Sequence, residues 1–248
     1  MNESRLIPTW LLRDADRRQQ ELRAWKQRLL LTERLDGLEI LDTTEPDAAT
    51  LRGLYRELDT LHRWLGNRKA VLRELSGMGV GAQSRVLDIG CGQGALLATI
   101  HKRMGCAVVG VDIRGECAAE SVTIVRADAA RDALPQADVA VCVVMAHHLD
   151  PDALEAMICN VARSCDALVL LDLVRHPVPL ALFRAFVAPL LSRIHAADGQ
   201  TSIRRAYTAR EMKAIVERAT KVSGRPVKML RHRVAPMWVR QVVMIRWG

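Results

Sequence analysis

Arg85-Val86-Leu87-Asp88-Ile89-Gly90-Cys91-Gly92-Gln93-Gly94 is the stretch that decides the fold. Val86, Leu87 and Ile89 predict a short buried β-strand. Gly90, Gly92 and Gly94 then alternate through a turn where the backbone can come close to a ligand. Ala95 to Met104 is helical in pattern, so its free N–H groups face whatever the turn holds. Asp88 stands just before the first glycine. An acid there suits a ligand with a positive charge or several N–H and O–H donors, and it would repel a pyrophosphate.

Gly90 to Ala95 also satisfies the dinucleotide pattern G-x-G-x-x-G/A, but that match alone is weak. A glycine-rich turn with no ligand competes with it. What lies downstream favours a ligand. Ala107 to Val111 is a second apolar run and ends at Asp112, about twenty residues past the turn, where a carboxylate can accept from both hydroxyls of a ribose. Ser121 to Val125 is a third strand candidate, followed by Asp128, which could accept from an exocyclic amine. Ala137 to Met145 is a fourth run, and His147-His148-Leu149-Asp150 follows it. One such acid is ordinarily a solvated loop residue or a helix cap. Three at consecutive strand ends, in register with a glycine turn, point to one site.

Four segments carry a resemblance to a known family: Val86-Leu87-Asp88-Ile89-Gly90-Cys91-Gly92-Gln93-Gly94, Gly110-Val111-Asp112-Ile113, Arg126-Ala127-Asp128-Ala129 and Ala146-His147-His148-Leu149. Together they resemble the class I S-adenosylmethionine-dependent methyltransferases. The resemblance is closest to the small-molecule branch related to the ubiquinone and menaquinone biosynthesis enzymes, and it covers residues 81–248. It implies a Rossmann-like, doubly wound α/β fold with a seven-stranded sheet whose last strand is antiparallel. It implies S-adenosylmethionine as cofactor. Gly90 and Gly92 would run beneath the methionine part, and Asp88 would help hold its amino group. Asp112 would take the ribose hydroxyls and Asp128 the adenine amine, with Cys91, Ile113, Ala129 and Met145 completing the binding set.

The periodicity alone supports a mostly parallel α/β sheet. Asp150-Pro151 is a helix start, and Leu154, Met157, Ile158, Val161 and Ala162 form one apolar helix face. Ala167 to Leu173 is a fifth strand with Asp172 near its end. Thr208 and Glu211 have capping-box spacing. Val227 to Val234 and Trp238 to Trp247 predict a closing hairpin.

Residues 1–80 differ from the rest and predict an N-terminal helical cap on the 81–248 domain, and the resemblance implies that such helices form part of a substrate lid. Thr9 to Leu35 has apolar residues at helical spacing through Leu11, Ala15, Leu22, Trp25 and Leu29. Thr43 to Asp47 is a break. Leu51, Leu54, Leu58, Leu61 and Leu65 make a second stripe, and Gly66-Asn67 interrupts before Leu72 and Leu75. The heptad-like spacing admits a coiled-coil homodimer, but the stripe is short for one, and packing on the core is the favoured arrangement. Val178 to Leu191 is almost wholly apolar, which fits a core helix or the wall of an apolar substrate pocket equally well.

No segment reaches membrane-spanning length, and no secretory leader is read at the N-terminus. The six cysteines have no CxxC pairing, so reduced thiols in the cytoplasm are expected. His147 and His148 lack a second cluster of ligands, and no metal is expected. The formal charge of +8 raises nucleic acid as a partner. Its arginines are dispersed, though, and only two Phe and two Tyr exist to interleave with them. Neither Asn/Asp-Pro-Pro-Tyr nor Pro-Cys follows the fourth strand. A small aromatic or apolar metabolite is therefore favoured as acceptor, with methylation at oxygen favoured over carbon. Nucleic-acid methylation and a non-methylating cofactor-binding role are the alternatives. His147, His148, His176 and Tyr207 are the candidate catalytic residues, with His147 favoured as base or substrate orienter. Arg175 or Arg204 could pair with an anionic substituent at the mouth.

Overall fold

The computed structural model describes residues 33–37, 39, 48–115 and 122–248. The predicted stripe from Leu11 to Leu29, the break at Thr43 to Asp47, the side chain of Leu51 and Ser121 lie outside the described residues. Among the described residues, strands β1 (Arg85–Ile89), β2 (Ala107–Asp112), β3 (Thr123–Arg126), β4 (Ala137–Val143), β5 (Cys165–Asp172), β6 (Val227–Val234) and β7 (Gln241–Trp247) form one sheet. Its order is β3-β2-β1-β4-β5-β7-β6. Only β7 runs against the rest, pairing antiparallel with both β5 and β6. This is the Rossmann-like arrangement that the motifs implied.

The inner strands β1, β4, β5 and β7 are largely apolar because both faces of the sheet are covered there. Alternation sends Leu87, Ile89, Cys142, Leu168 and Ile245 to one face. There they meet Leu154, Met157, Ile158 and Val161 of helix α4 (Pro151–Ser164) and Met212, Ile215 and Val216 of α7 (Ala209–Val222). Val86, Val141, Val169 and Met244 go to the other face. They meet Ile100 of α3 (Ala95–Met104) and Ala70, Val71 and Leu75 of α2 (Asn67–Gly77). Helix α1 (Ala48–Trp64) precedes α2 across a turn at Gly66 (φ 72°). Arg240 holds that turn by donating to the Leu65 carbonyl at 2.8 Å and to Asn67 at 3.1 Å.

Local signals and structure agree at the helix starts. The Asp150 carboxylate accepts from the Ala153 N–H at 2.7 Å, with Pro151 in the first helical position. Thr208 and Glu211 close a reciprocal capping box on α7. No helix among the described residues is long and apolar enough to cross a membrane.

Two expectations change. Val178 to Leu191 is not one helix: α5 (Pro177–Leu182) passes into a π-helical turn over Phe183–Val187 and a 3-10 turn over Ala188–Leu190. Phe183 lies on Gly199 of α6 (Arg193–Arg205), where a Cβ would fall 2.3 Å from the ring. Docking that ring fixes the segment, and the continuous helix is lost. The second hairpin strand also starts later than read, at Gln241. Pro236 has no N–H to give a ladder, and Pro236–Trp238 forms a 3-10 turn instead.

Candidate active site

The parallel strands β1, β2 and β4 end at one rim of the sheet, beside the point where strand order reverses between β1 and β4. Open α/β sheets bind ligands at such a point. A cavity of about 730 Å³ opens here, within the range of small-molecule sites. Its lining includes Asp88, Gly90, Cys91, Gly92, Asp112, Ile113, Asp128, Ala129 and Met145, so the nine residues proposed for the cofactor share one space. It also includes His147 and His148.

The glycine turn has a steric reason for its composition. Gly90 and Gly92 sit at φ 69° and 53°, a region costly for residues with a Cβ. A Cβ on Gly90 would lie 2.4 Å from Cγ of Met145. Met145 reaches that position because Val144 turns the chain at φ 52°, a strained conformation for a β-branched residue and one typical of sites.

Asp88 is 2% exposed. Burial, with the Asp112 charge added, pushes its carboxyl up to about 8, and among the described residues no cation or donor offsets that shift. A buried acid in this state fits a cofactor ammonium. Asp112 is tied down differently. One carboxylate oxygen accepts from the Gly92 N–H at 2.9 Å and the other from the Arg114 N–H at 2.9 Å. Each oxygen keeps a lone pair for a diol. Asp128 accepts from the Ala130 N–H at 2.9 Å and faces Arg131 at 3.6 Å.

The histidine pair lies in a 3-10 turn past β4. His147 is 1% exposed. Both its backbone N–H and its Nδ1 meet the Asp172 carboxylate at 2.8 Å, and its Nε2 stands 3.6 Å from Glu39. Burial pushes this imidazole down, but Asp172 and Glu39 outweigh it and raise it to about 9. His148 is half-buried, with Nε2 3.7 Å from the same Glu39 oxygen. Burial pushes Glu39 up in turn, while the two histidines and Ser202 hold it below the usual carboxylate range. The turn's carbonyls are clamped. Arg34 donates to those of His147 and Leu149 at 2.6 and 2.8 Å, Arg205 to that of His148 at 3.1 Å, and the Tyr207 hydroxyl to that of Leu149 at 2.7 Å.

Not every candidate comes to this space. Tyr207 is buried beneath the turn, and its hydroxyl is engaged there. His176 caps α5, accepting from the Val178 N–H at 3.2 Å, and stacks on Trp238 at 4.2 Å. Neither residue lines the cavity. Arg175 is buried and donates to the Ala206 carbonyl and to Glu211, so it does not stand at the mouth. The 178–191 run contributes nothing to the cavity wall. That wall comes from Leu54, Tyr55, Leu58 and His62 of α1. Burial, with the His147 charge added, lowers His62 to about 4, so it is neutral at physiological pH. Glu39, Asp172 and His62 were missed as site residues. Asp172 had a signal, its place at a strand tip; Glu39 and His62 had none.

A family model described as a methyltransferase domain matches residues 86–167. No curated protein sequence matches the chain. Among solved structures the chain is similar to human N-acetylserotonin methyltransferase in complex with S-adenosylmethionine, at 15% identity and TM-score 0.54, covering 82% of this chain and 60% of that one. It is similar to the mitomycin 7-O-methyltransferase MmcR at 20% identity and TM-score 0.57, covering 86% of this chain and 62% of that one. It is also similar to the plantazolicin methyltransferase BpumL at 13% identity and TM-score 0.59, covering 82% of this chain and 91% of that one. The chain thus spans about three fifths of the length of the first two. These likenesses establish the fold, and the family match falls on β1 through the first residues of β5, the span that holds the glycine turn and the three strand-tip acids. Residues 86–167 thus match a methyltransferase domain, and they do so within a fold shared with the methyltransferases above.

Proposed function

We propose that this chain methylates a small, largely apolar aromatic acceptor at a hydroxyl oxygen. One observation carries the reading: a single cavity takes in both the glycine turn and the histidine pair, and the apolar Leu54, Leu58, Leu96, Val143 and Leu149 are among the residues that line it. Bound S-adenosylmethionine supplies a methyl group already activated on a sulfonium. Asp88 holds its ammonium, Asp112 its ribose and Asp128 its adenine amine. Gly90 and Gly92 run beneath it, and Cys91, Ile113, Ala129 and Met145 surround it.

The protein's remaining task is to align the oxygen with the methyl group, which can contribute up to about 7–11 kcal/mol. His147, bonded to Asp172 through Nδ1 and facing Glu39 through Nε2, orients the acceptor and does not serve as the base. His148, on the cavity side, meets the acceptor hydroxyl. Residues 1–80 act as the cap, a reading supported by the α1 side chains in the cavity wall. The fold neighbours named for N-acetylserotonin and mitomycin agree with a small acceptor.

The test uses labelled cofactor with two acceptor pools, total RNA and an organic extract of the host. Label is expected in the organic fraction; label in RNA alone overturns the reading. His148→Ala should lower turnover by about 10²-fold or more with S-adenosylhomocysteine affinity intact.

A further inference from the structure

We infer that Glu39, His147 and His148 bind one divalent ion of the zinc type, with its open side toward the acceptor cavity. The three side chains bring their ligand atoms within 4.8 Å of one another. Oε1 of Glu39 is 3.6 Å from Nε2 of His147 and 3.7 Å from Nε2 of His148. Those separations exceed a hydrogen bond, which runs to about 3.2 Å. They are close to the ~3.4 Å between two ligands bound tetrahedrally at about 2.0–2.1 Å from zinc.

The surroundings are those of a ligand set. Metal-bound histidines characteristically give their other ring nitrogen to a carboxylate. His147 does this through Nδ1, 2.8 Å from Asp172. A ligating carboxylate is in turn hydrogen-bonded, and the Ser202 hydroxyl donates to Oε1 of Glu39 at 2.7 Å. The backbone that carries the histidines is fixed by Arg34, Arg205 and Tyr207. Two imidazoles and one carboxylate suit zinc and its neighbours better than magnesium or calcium. Three protein ligands beside a cavity are the pattern of an open, reactive site, whereas structural zinc is closed by four. All three residues line the acceptor cavity.

The role of the ion rests on the acceptor reading above; its binding does not. An acceptor hydroxyl in the fourth position would be acidified, its proton passing to solvent. The ion would then replace His148 as the group that meets the hydroxyl. Binding requires Nε2 of His147 without its proton, so uptake of the ion releases protons.

The metal-free full-length chain would be titrated with Zn²⁺ against a chromophoric chelator, and S-adenosylhomocysteine binding measured on the same samples. One equivalent should bind. Glu39→Gln and His148→Ala should each weaken binding at least about 100-fold, and Asp172→Asn, a positioning residue, by about 10–100-fold. No binding by the wild type, or unchanged affinity in folded Glu39→Gln and His148→Ala proteins, overturns the inference. Should those variants not fold, crystals of the wild type soaked in Zn²⁺ decide: an anomalous peak must lie within bonding distance of both Nε2 atoms and the Glu39 carboxylate, and a peak elsewhere overturns it. Cofactor-product binding without metal binding sinks the ion site and spares the acceptor reading. Metal binding with label only in RNA does the reverse.

Discussion

Asp88→Asn should make the ligand-free protein more stable while weakening its cofactor. The folded acid keeps its proton up to about pH 8, whereas its ordinary value is 3.8. Because the folded pKa is raised, the folded state holds a proton that the unfolded state gives up. Asp88's contribution to stability is therefore full below pH 3.8 and declines as pH rises, until the folded group ionises near 8. The decline is about 1.4 kcal/mol per pH unit, so at pH 7 it reaches roughly 4 kcal/mol. Asparagine does not titrate, but burying its amide costs about 1–3 kcal/mol. The net expectation at pH 7 is a gain of about 1–3 kcal/mol. Urea unfolding of both proteins between pH 5 and pH 8 measures it, and the gap should widen steadily with pH. Calorimetry with S-adenosylhomocysteine supplies the second reading. Losing a hydrogen bond to a charged group costs about 1.5–3 kcal/mol, roughly 10- to 150-fold in affinity. A stability difference that does not change with pH would refute the buried, neutral acid.

Two further substitutions test the turn and the ribose contact. Gly90→Ala meets both left-handed backbone strain and the close approach of Met145, and should cost about 2–5 kcal/mol. Gly92→Ala meets the strain alone, since the nearest atom, on Tyr55, is 3.6 Å away; about 1–2 kcal/mol is expected. Equal losses in paired urea melts would show that the Met145 contact yields freely. Asp112→Ala should weaken S-adenosylhomocysteine by about 1.5–3 kcal/mol, and unchanged affinity in calorimetry would remove Asp112 from the site.

That the glycine turn and the strand-tip acids share one cavity was legible because their placement is local. Glycines in a turn and acids at strand tips are set by period and by a few residues of chain, so Asp88, Asp112 and Asp128 could be placed from spacing alone. The acceptor half was not legible in this way. Glu39 is one of several acids spaced three apart, Glu33, Asp36, Glu39, Asp42 and Glu45, with nothing in the sequence to single it out, and only the packed structure brings it to His147. His62 sits on a helix whose leucine stripe drew attention away from its polar neighbours. The 178–191 run was misplaced because composition registers apolarity and not its partner: Phe183 packs on Gly199, and Leu180 on Ile203, away from the cavity. Tyr207 and His176 have the right chemistry and stand near the right strands, but their polar atoms are engaged by the backbone.

The clamps around the histidine turn bear on the order in which the molecule assembles. Arg34 reaches the carbonyls of His147 and Leu149 across 113 and 115 residues, and that of Arg205 across 171. Ser202 reaches Glu39 across 163. The bond from Gly92 to Asp112 spans only 20. Closing a long loop costs entropy before its contacts repay it, so distant pairings form late. On a growing chain the glycine turn and Asp112 can be in place while the partners of Arg34 and Glu39 are still unsynthesised. The same asymmetry operates in the finished protein. The bonds of Arg34 and Glu39 given above all go to residues outside the strands, so amide exchange in the His147–Leu149 turn should track their local opening and not global unfolding.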